Sequence, residues 1–254
     1  LLLLALLILV LRLLPKDLAE STPHLSVDGM TSRGPNLSHW PGNRTPPSLK
    51  ADLSTGICLH FARLSPDQQA EVLATHGGAE GVLNDHYDTD GFLSLLAILR
   101  PDIALAREEV CLAAAATGDY QCWQTERAFA IDRIVAGLRR SPTSPLGSEL
   151  VGLDDSATEH HCYSWLIEHA ERVLDEPWSL AELWQPECNA LRTEWATQPF
   201  ATHVLHDAAL GIVETEHDAS RRRNGKLLPC SSSTESQVTG ARGLLTTMLL
   251  GNRG

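Results

Sequence analysis

Val82-Leu83-Asn84-Asp85-His86-Tyr87-Asp88-Thr89-Asp90-Gly91-Phe92-Leu93-Ser94 is the stretch on which both fold and chemistry turn. Gly77-Gly78 breaks the chain ahead of it, so Val82-Leu83 reads as a brief strand, and the apolar run from Phe92 to Leu99 reads as a helix. A strand that runs through a polar loop directly into a helix is the unit of a layered α/β domain. In extended backbone, alternate side chains share a face, so His86, Asp88 and Asp90 converge while Tyr87 and Thr89 face away.

One imidazole and two carboxylates make a mixed nitrogen and oxygen site for a divalent cation such as Mn, Mg or Fe. Without a cation, Asp88 and Asp90 repel each other. Gly91 permits a sharp turn, and a helix starting at Phe92 aims free N–H groups at the same place, where they favour an anion. The expected arrangement is a phosphate between metal and helix N-terminus, with Ser94 in the first turn. An EF-hand reading fails, because the twelfth position counted from His86 is Ala97 and the first ligand is His. A plain capped turn with Asp90 as N-cap, or a relic that binds no metal, stays open.

Working outward, His24–Val27 reads as a strand closed by Asp28-Gly29, and residues 36–43 (NLSHWPGN) read as a loop. In that loop His39, with Arg44 just beyond it, is a candidate substrate contact, against the alternative of a structural loop anchored by Trp40. Leu49, Leu53, Ile57, Phe61 and Leu64 recur at helical spacing, which predicts a helix over 49–64 capped by Ser48. Further helices are expected over 102–116, stopped by Gly118, and over 125–138, 158–174 and 177–195, with a strand near 209–215. The fold class expected is α/β, a Rossmann-like three-layer domain with a largely helical C-terminal portion. Its parts are an apolar extension (1–22), the α/β domain (23–140), a linker (141–157) and a helical portion with a late strand (158–254).

The string HYDTDGFLS (86–94) between strand and helix resembles the first motif, HxDxDGxxS, of the DHH-type phosphoesterases. That resemblance implies that His86, Asp88 and Asp90 bind catalytic cations, usually Mn, which activate water for attack on a phosphoester. It also implies a further metal Asp after another strand and an Asp-His-His at a strand end. Downstream, Asp119, Asp155 and the pair His160-His161, within Glu159-His160-His161, are the candidates for those additional ligands. The blocks LSHWPGN, TPPSLKADLSTGI and NDHYDTDG, in this order, also resemble an uncharacterised bacterial domain family, a likeness spanning about residues 23–120 that implies no activity.

Composition narrows the partners. The formal net charge is −12, and an acidic surface repels phosphate backbones, so duplex nucleic acid is not expected. The apolar run Leu1–Leu11 is too short for a bilayer span, and its cations Arg12 and Lys16 follow rather than precede it, unlike a signal peptide. Six dispersed cysteines without a C-x-x-C read as buried small hydrophobes and favour a reducing cytoplasm. Lacking an initiator Met and ending beside the apolar run Leu244–Leu250, the sequence reads as a window on a longer protein. The expected function is a metal-dependent phosphoesterase-like hydrolase acting on a small phosphorylated molecule, the alternative being a non-catalytic metal- or ligand-binding module. Substrate identity and oligomeric state are not legible.

Overall fold

The computed structural model describes residues 11–197, 203–207, 212–216 and 228–229. The leucine-rich residues 1–10, the basic run Arg221–Arg223 and the apolar run Leu244–Leu250 lie outside them. The described chain is mixed α/β and mostly helical, around a small parallel sheet. Its four strands are β1 (Arg12–Leu13), β2 (His24–Val27), β3 (Asn36–Leu37) and β4 (Gly81–Leu83), in the order β1-β4-β2-β3. Every pairing in this sheet is parallel, with Leu25 opposite Val82 and Val27 opposite Leu37. All four residues of β2 are buried, as expected for an inner strand of a parallel sheet covered on both faces. β1 belongs to the segment expected to be an appendage, yet Leu13 pairs with Val82 and Leu14 is buried, so this part of the head is integral to the sheet.

Two apolar helices, α1 (Ser54–Ala62) and α3 (Thr89–Leu99), separated in sequence by α2 (Pro66–Leu73), pack against each other and form the middle of the core. In α3 no charged residue follows Asp90, so residues 89–97 are buried without leaving an ion unpaired. The helix expected over 49–64 is shorter: a 3-10 turn at Pro47–Leu49 and an extended Leu53 come first. No local side chain caps α1. Its Ser54 and Thr55 N–H groups donate instead to the Asp90 carboxylate on α3, a partner that local spacing does not reveal.

The predicted helix 102–116 is two helices, α4 (Pro101–Ala106) and α5 (Glu108–Tyr120). At the break, Arg107 donates to Asp175 and Glu171. Gly118 does not end α5. A Cβ there would lie 3.0 Å from Asp132 Oδ1 and 3.2 Å from Thr89 Cβ, so the missing side chain serves close packing on the start of α3, and Gln121 in left-handed backbone ends the helix. This extension puts Asp119 in the last turn of α5.

Helix α6 (Glu126–Arg140) matches expectation. The supposed linker is packed: Leu146 is buried in the common core and Ser144 Oγ donates to Leu138 O. Beyond it come α7 (Asp155–Glu168), capped by Asp154, then α8 (Ala170–Asp175) and α9 (Ala181–Thr197). Their buried residues Leu166, Val173 and Trp184 share one apolar cluster with α3 and α6. The late strand expected near 209–215 is Ile212–Glu216, paired antiparallel with His203–Asp207. Cys58, Cys111, Cys162 and Cys188 are free and buried, as expected of thiols used as small hydrophobes. No helix among the described residues is long and apolar enough to cross a membrane.

Candidate metal centre

Asp28, His39 and the 84–88 loop follow β2, β3 and β4, so they gather at the carboxyl ends of three adjacent parallel strands. That end is where open α/β sheets carry their ligands. Two helix N-termini, those of α1 and α3, meet the same edge and bind carboxylates there.

Two groups of possible ligands result, each with donor atoms within 4.8 Å of one another: Asp28, His39, Asp90 and Asp119 in one, Asp28, His86 and Asp88 in the other. Asp28 belongs to both. In the first, His39 Nδ1 lies 3.4 Å from Asp90 Oδ2 and 3.8 Å from Asp28 Oδ1, and its Nε2 lies 3.6 Å from Asp119 Oδ2. Ser54 Oγ, 2.9 Å from Nδ1, fixes the ring. In the second, His86 Nε2 lies 3.0 Å from Asp88 Oδ2 and 3.3 Å from Asp28 Oδ2. Its Nδ1 bonds Asp85 Oδ1 at 2.7 Å, which leaves Nε2 turned toward the other carboxylates. A carboxylate behind an imidazole in this way is the usual outer support of a metal-bound histidine.

The three motif residues do not converge by strand alternation. β4 stops at Leu83, and α3 begins at Thr89 rather than Phe92, so Asp90 sits inside the first helical turn and is fully buried. Its Oδ2 accepts Ser54 N–H at 2.8 Å and its Oδ1 accepts Thr55 N–H at 2.7 Å. The N-cap is Asp88, not Asp90: Asp88 Oδ1 accepts Gly91 N–H at 2.8 Å. One N–H of the α3 terminus is thereby engaged by its own aspartate.

Of the additional ligands expected, Asp119 joins the centre. Asp155 does not: it is exposed and pairs with Arg139 at 3.1 Å. His161 bonds exposed Glu149 at 2.8 Å, and His160 lines a surface pocket with Pro15 and Ser156. Asp155 opens α7 and the two histidines lie in its first turns, which carries them to the surface. Ser94 is buried in α3 beside the Cys58 thiol and reaches no solvent. The Arg44 guanidinium is engaged by the carbonyls of Thr31, Arg33 and Gly34, a brace for its own loop.

Asp28 is the candidate ligand that the sequence does not single out, since it reads there as a turn residue. An acidic residue directly after a buried strand was the available signal. It is 1% exposed, in left-handed backbone, and its Oδ1 has no hydrogen-bond donor. Tyr163 of α7, also unforeseen, donates to His86 O at 2.9 Å and accepts Asp88 N–H at 3.2 Å, bracing the loop between them.

The electrostatics is that of a centre short of positive charge. Burial pushes Asp28 up to about 7, the His86 hydrogen bond opposing and the Asp90 and Asp88 charges adding. Burial, together with the charges of Asp90, Asp28 and Asp88, pushes Asp119 up to about 9. For His86, burial opposes ionisation, but hydrogen bonds to Asp28, Asp85 and Asp88 prevail and lift it to about 12. Burial also works against the Asp90 charge, yet bonds from His39, Thr55 and Ser54 hold it below the usual carboxylate range. An orphaned buried carboxylate oxygen amid oxygen and imidazole donors fits a hard or borderline divalent cation.

Residues 10–238 match the family model described as Family of unknown function (DUF6687). No curated protein matches the chain, and no solved structure does.

Proposed function

The chain belongs to the family of unknown function DUF6687, and from the geometry of its site we propose that it is a divalent-metal-dependent phosphoesterase-like hydrolase acting on a small phosphorylated substrate. The observation that carries this reading is Asp28, a buried carboxylate shared by two ligand groups, with one oxygen left without a donor. Cations held there, Mn before Mg or Fe, would supply positive charge to a phosphoryl group and acidify a water, the chemistry of two-metal hydrolysis. Asp28 would serve both groups, with His39, Asp90 and Asp119 as the other residues to hold a cation in one and His86 and Asp88 in the other. The resemblance to DHH-type phosphoesterases implies a further metal Asp after another strand and an Asp-His-His at a strand end. Asp28, directly after β2, would take the place of the first upstream of the motif, whereas Glu159-His160-His161 lies in α7 and His39 belongs to no Asp-His-His.

The chain's own groups hold this set rigid. Asp85 turns His86, Ser54 Oγ turns His39, and the α1 N-terminus keeps Asp90 ionised and oriented. His86 and Asp88 are half-buried, whereas Asp28 and Asp90 are fully buried, so substrate would approach over His86 and Asp88. In the finer fold reading the sheet and its helices form a Rossmann-like three-layer domain, whose strand ends are the customary place for such a site.

Metal analysis of the purified full chain beside Asp28→Ala and the double variant Asp88→Ala/Asp90→Ala tests the proposal. Bound divalent metal is expected in the native chain and lost in both variants; equal content in all three removes the site. Mn-dependent hydrolysis of an aryl phosphodiester is expected to follow the metal content, and specific binding without turnover on a broad phosphoester panel would make the chain a binding module instead.

A further inference from the structure

Trp40 sits next to His39 in sequence and against His86 in space, its ring centroid 5.4 Å from the His86 ring at a 56° tilt and 6.5 Å from the His39 ring. Yet it is 46% exposed, so it does not anchor its loop in the core. The loop holds without it: Trp40 N–H donates to Ser38 Oγ at 3.1 Å, Asn43 Nδ2 donates to Trp40 O at 2.7 Å, and Thr45 Oγ1 donates to Ser38 O at 2.8 Å. A bulky indole is therefore presented to solvent on a braced backbone beside the candidate metal ligands. Met30, two residues after Asp28, is 38% exposed, and its Cε lies 3.7 Å from where a Cβ on Gly42 would stand, so it borders the same rim. Among the exposed large apolar side chains of the described residues, Met30 and Trp40 are the two in loops that also carry the clustered ligands.

The chemistry of this rim favours a flat apolar group over hydroxyl recognition. An indole face and a polarisable thioether attract aromatic rings, while the nearby polar side chains of Ser38 and Asn43 are engaged within the loop. Building on the hydrolase reading, we propose that Trp40 is the stacking platform for a planar aromatic group of the substrate. The substrate class is then a nucleotide-type phosphoester, its phosphate at the His86 and Asp88 side and its base on the indole.

Calorimetric titration of the Mn-loaded full chain with adenosine 5′-monophosphate and with ribose 5-phosphate tests this, with hydrolysis followed in the same samples. Base–aromatic stacking predicts that the nucleotide binds at least roughly tenfold more tightly. That ratio is expected to fall below about twofold in Trp40→Ala and in Trp40→Leu, the second variant keeping an apolar side chain on the loop. A native chain without nucleotide preference, a preference that survives both substitutions, or an equal loss for ribose 5-phosphate overturns the inference. Selective, Trp40-dependent nucleotide binding without hydrolysis of adenosine 5′-monophosphate leaves it standing, and the hydrolase reading is decided separately by the phosphoester panel.

Discussion

At Asp88 two roles meet in one carboxylate: Oδ1 caps α3 through the Gly91 N–H, and Oδ2 faces His86 Nε2. Substitution separates them. Asp88→Ala is expected to lose about 1 kcal/mol of folding stability with the cap and to weaken metal binding. Asp88→Ser, which keeps a capping oxygen without the charge, is expected to retain the stability and still lose metal, as read by urea unfolding of the metal-free chain and by metal content. Equal stability loss in both variants would show that the carboxylate acts on the fold through something other than the cap. The pattern His86-x-Asp88-x-Asp90 is legible as a candidate ligand set from residue types alone. Strand alternation does not bring it together, because two of the three residues lie in a loop and a cap and the third lies in the helix.

Elements bring together what spacing leaves apart. The N-terminus of α1 is capped from α3 by Asp90, so a helix that lacks a local cap starts at Ser54 only because another helix lies against it. Likewise the 84–88 loop is braced from α7, some seventy-five residues away in sequence, through the Tyr163 hydroxyl. Tyr163→Phe leaves Asp88 N–H and His86 O without that partner and is expected to destabilise the chain by about 1–3 kcal/mol. It should weaken metal binding by the His86 and Asp88 group more than by the His39 and Asp119 group, as a metal titration resolving two classes would record. Uniform weakening of both classes would mean that Tyr163 supports the fold as a whole rather than this loop.

Across the whole molecule the buried acidity of the centre links metal, protons and stability. A carboxyl raised above its unfolded value binds more protons folded than unfolded, so its presence makes stability fall as pH rises between the two values. That interval runs from about 4 to about 7 for Asp28 and to about 9 for Asp119. His86 acts in the same direction, its contribution full below about 6.5 and lost as pH rises toward about 12. The chelated chain is therefore expected to melt at a lower temperature at pH 8 than at pH 5.5. Added Mn should raise the melting temperature more at pH 8, where cations replace the missing protons. A chelated chain that is equally or more stable at pH 8 would contradict the electrostatics described for Asp28 and Asp119.

The residue types by themselves determined the α/β class, the strands at 24–27 and 82–83, the helix expected over 125–138 and found at Glu126–Arg140, and the acidic character of the candidate site, because hydrophobic periodicity and clustered acidic residues are local properties. Only the tertiary structure decided which distant groups complete that site. Asp28 reads as an ordinary turn residue until β2 and β4 pair and set it beside His86. Asp119 reads as one of several downstream acids until Gly118 lets α5 run close against α3. Trp40 reads as the anchor of a structural loop, in the alternative to a substrate-binding one, until the loop holds itself by hydrogen bonds and leaves the indole in water. For Asp28 and Asp119 the deciding contact lies between segments far apart in the chain, which packing alone brings together; for Trp40 it is the hydrogen bonding of its own loop.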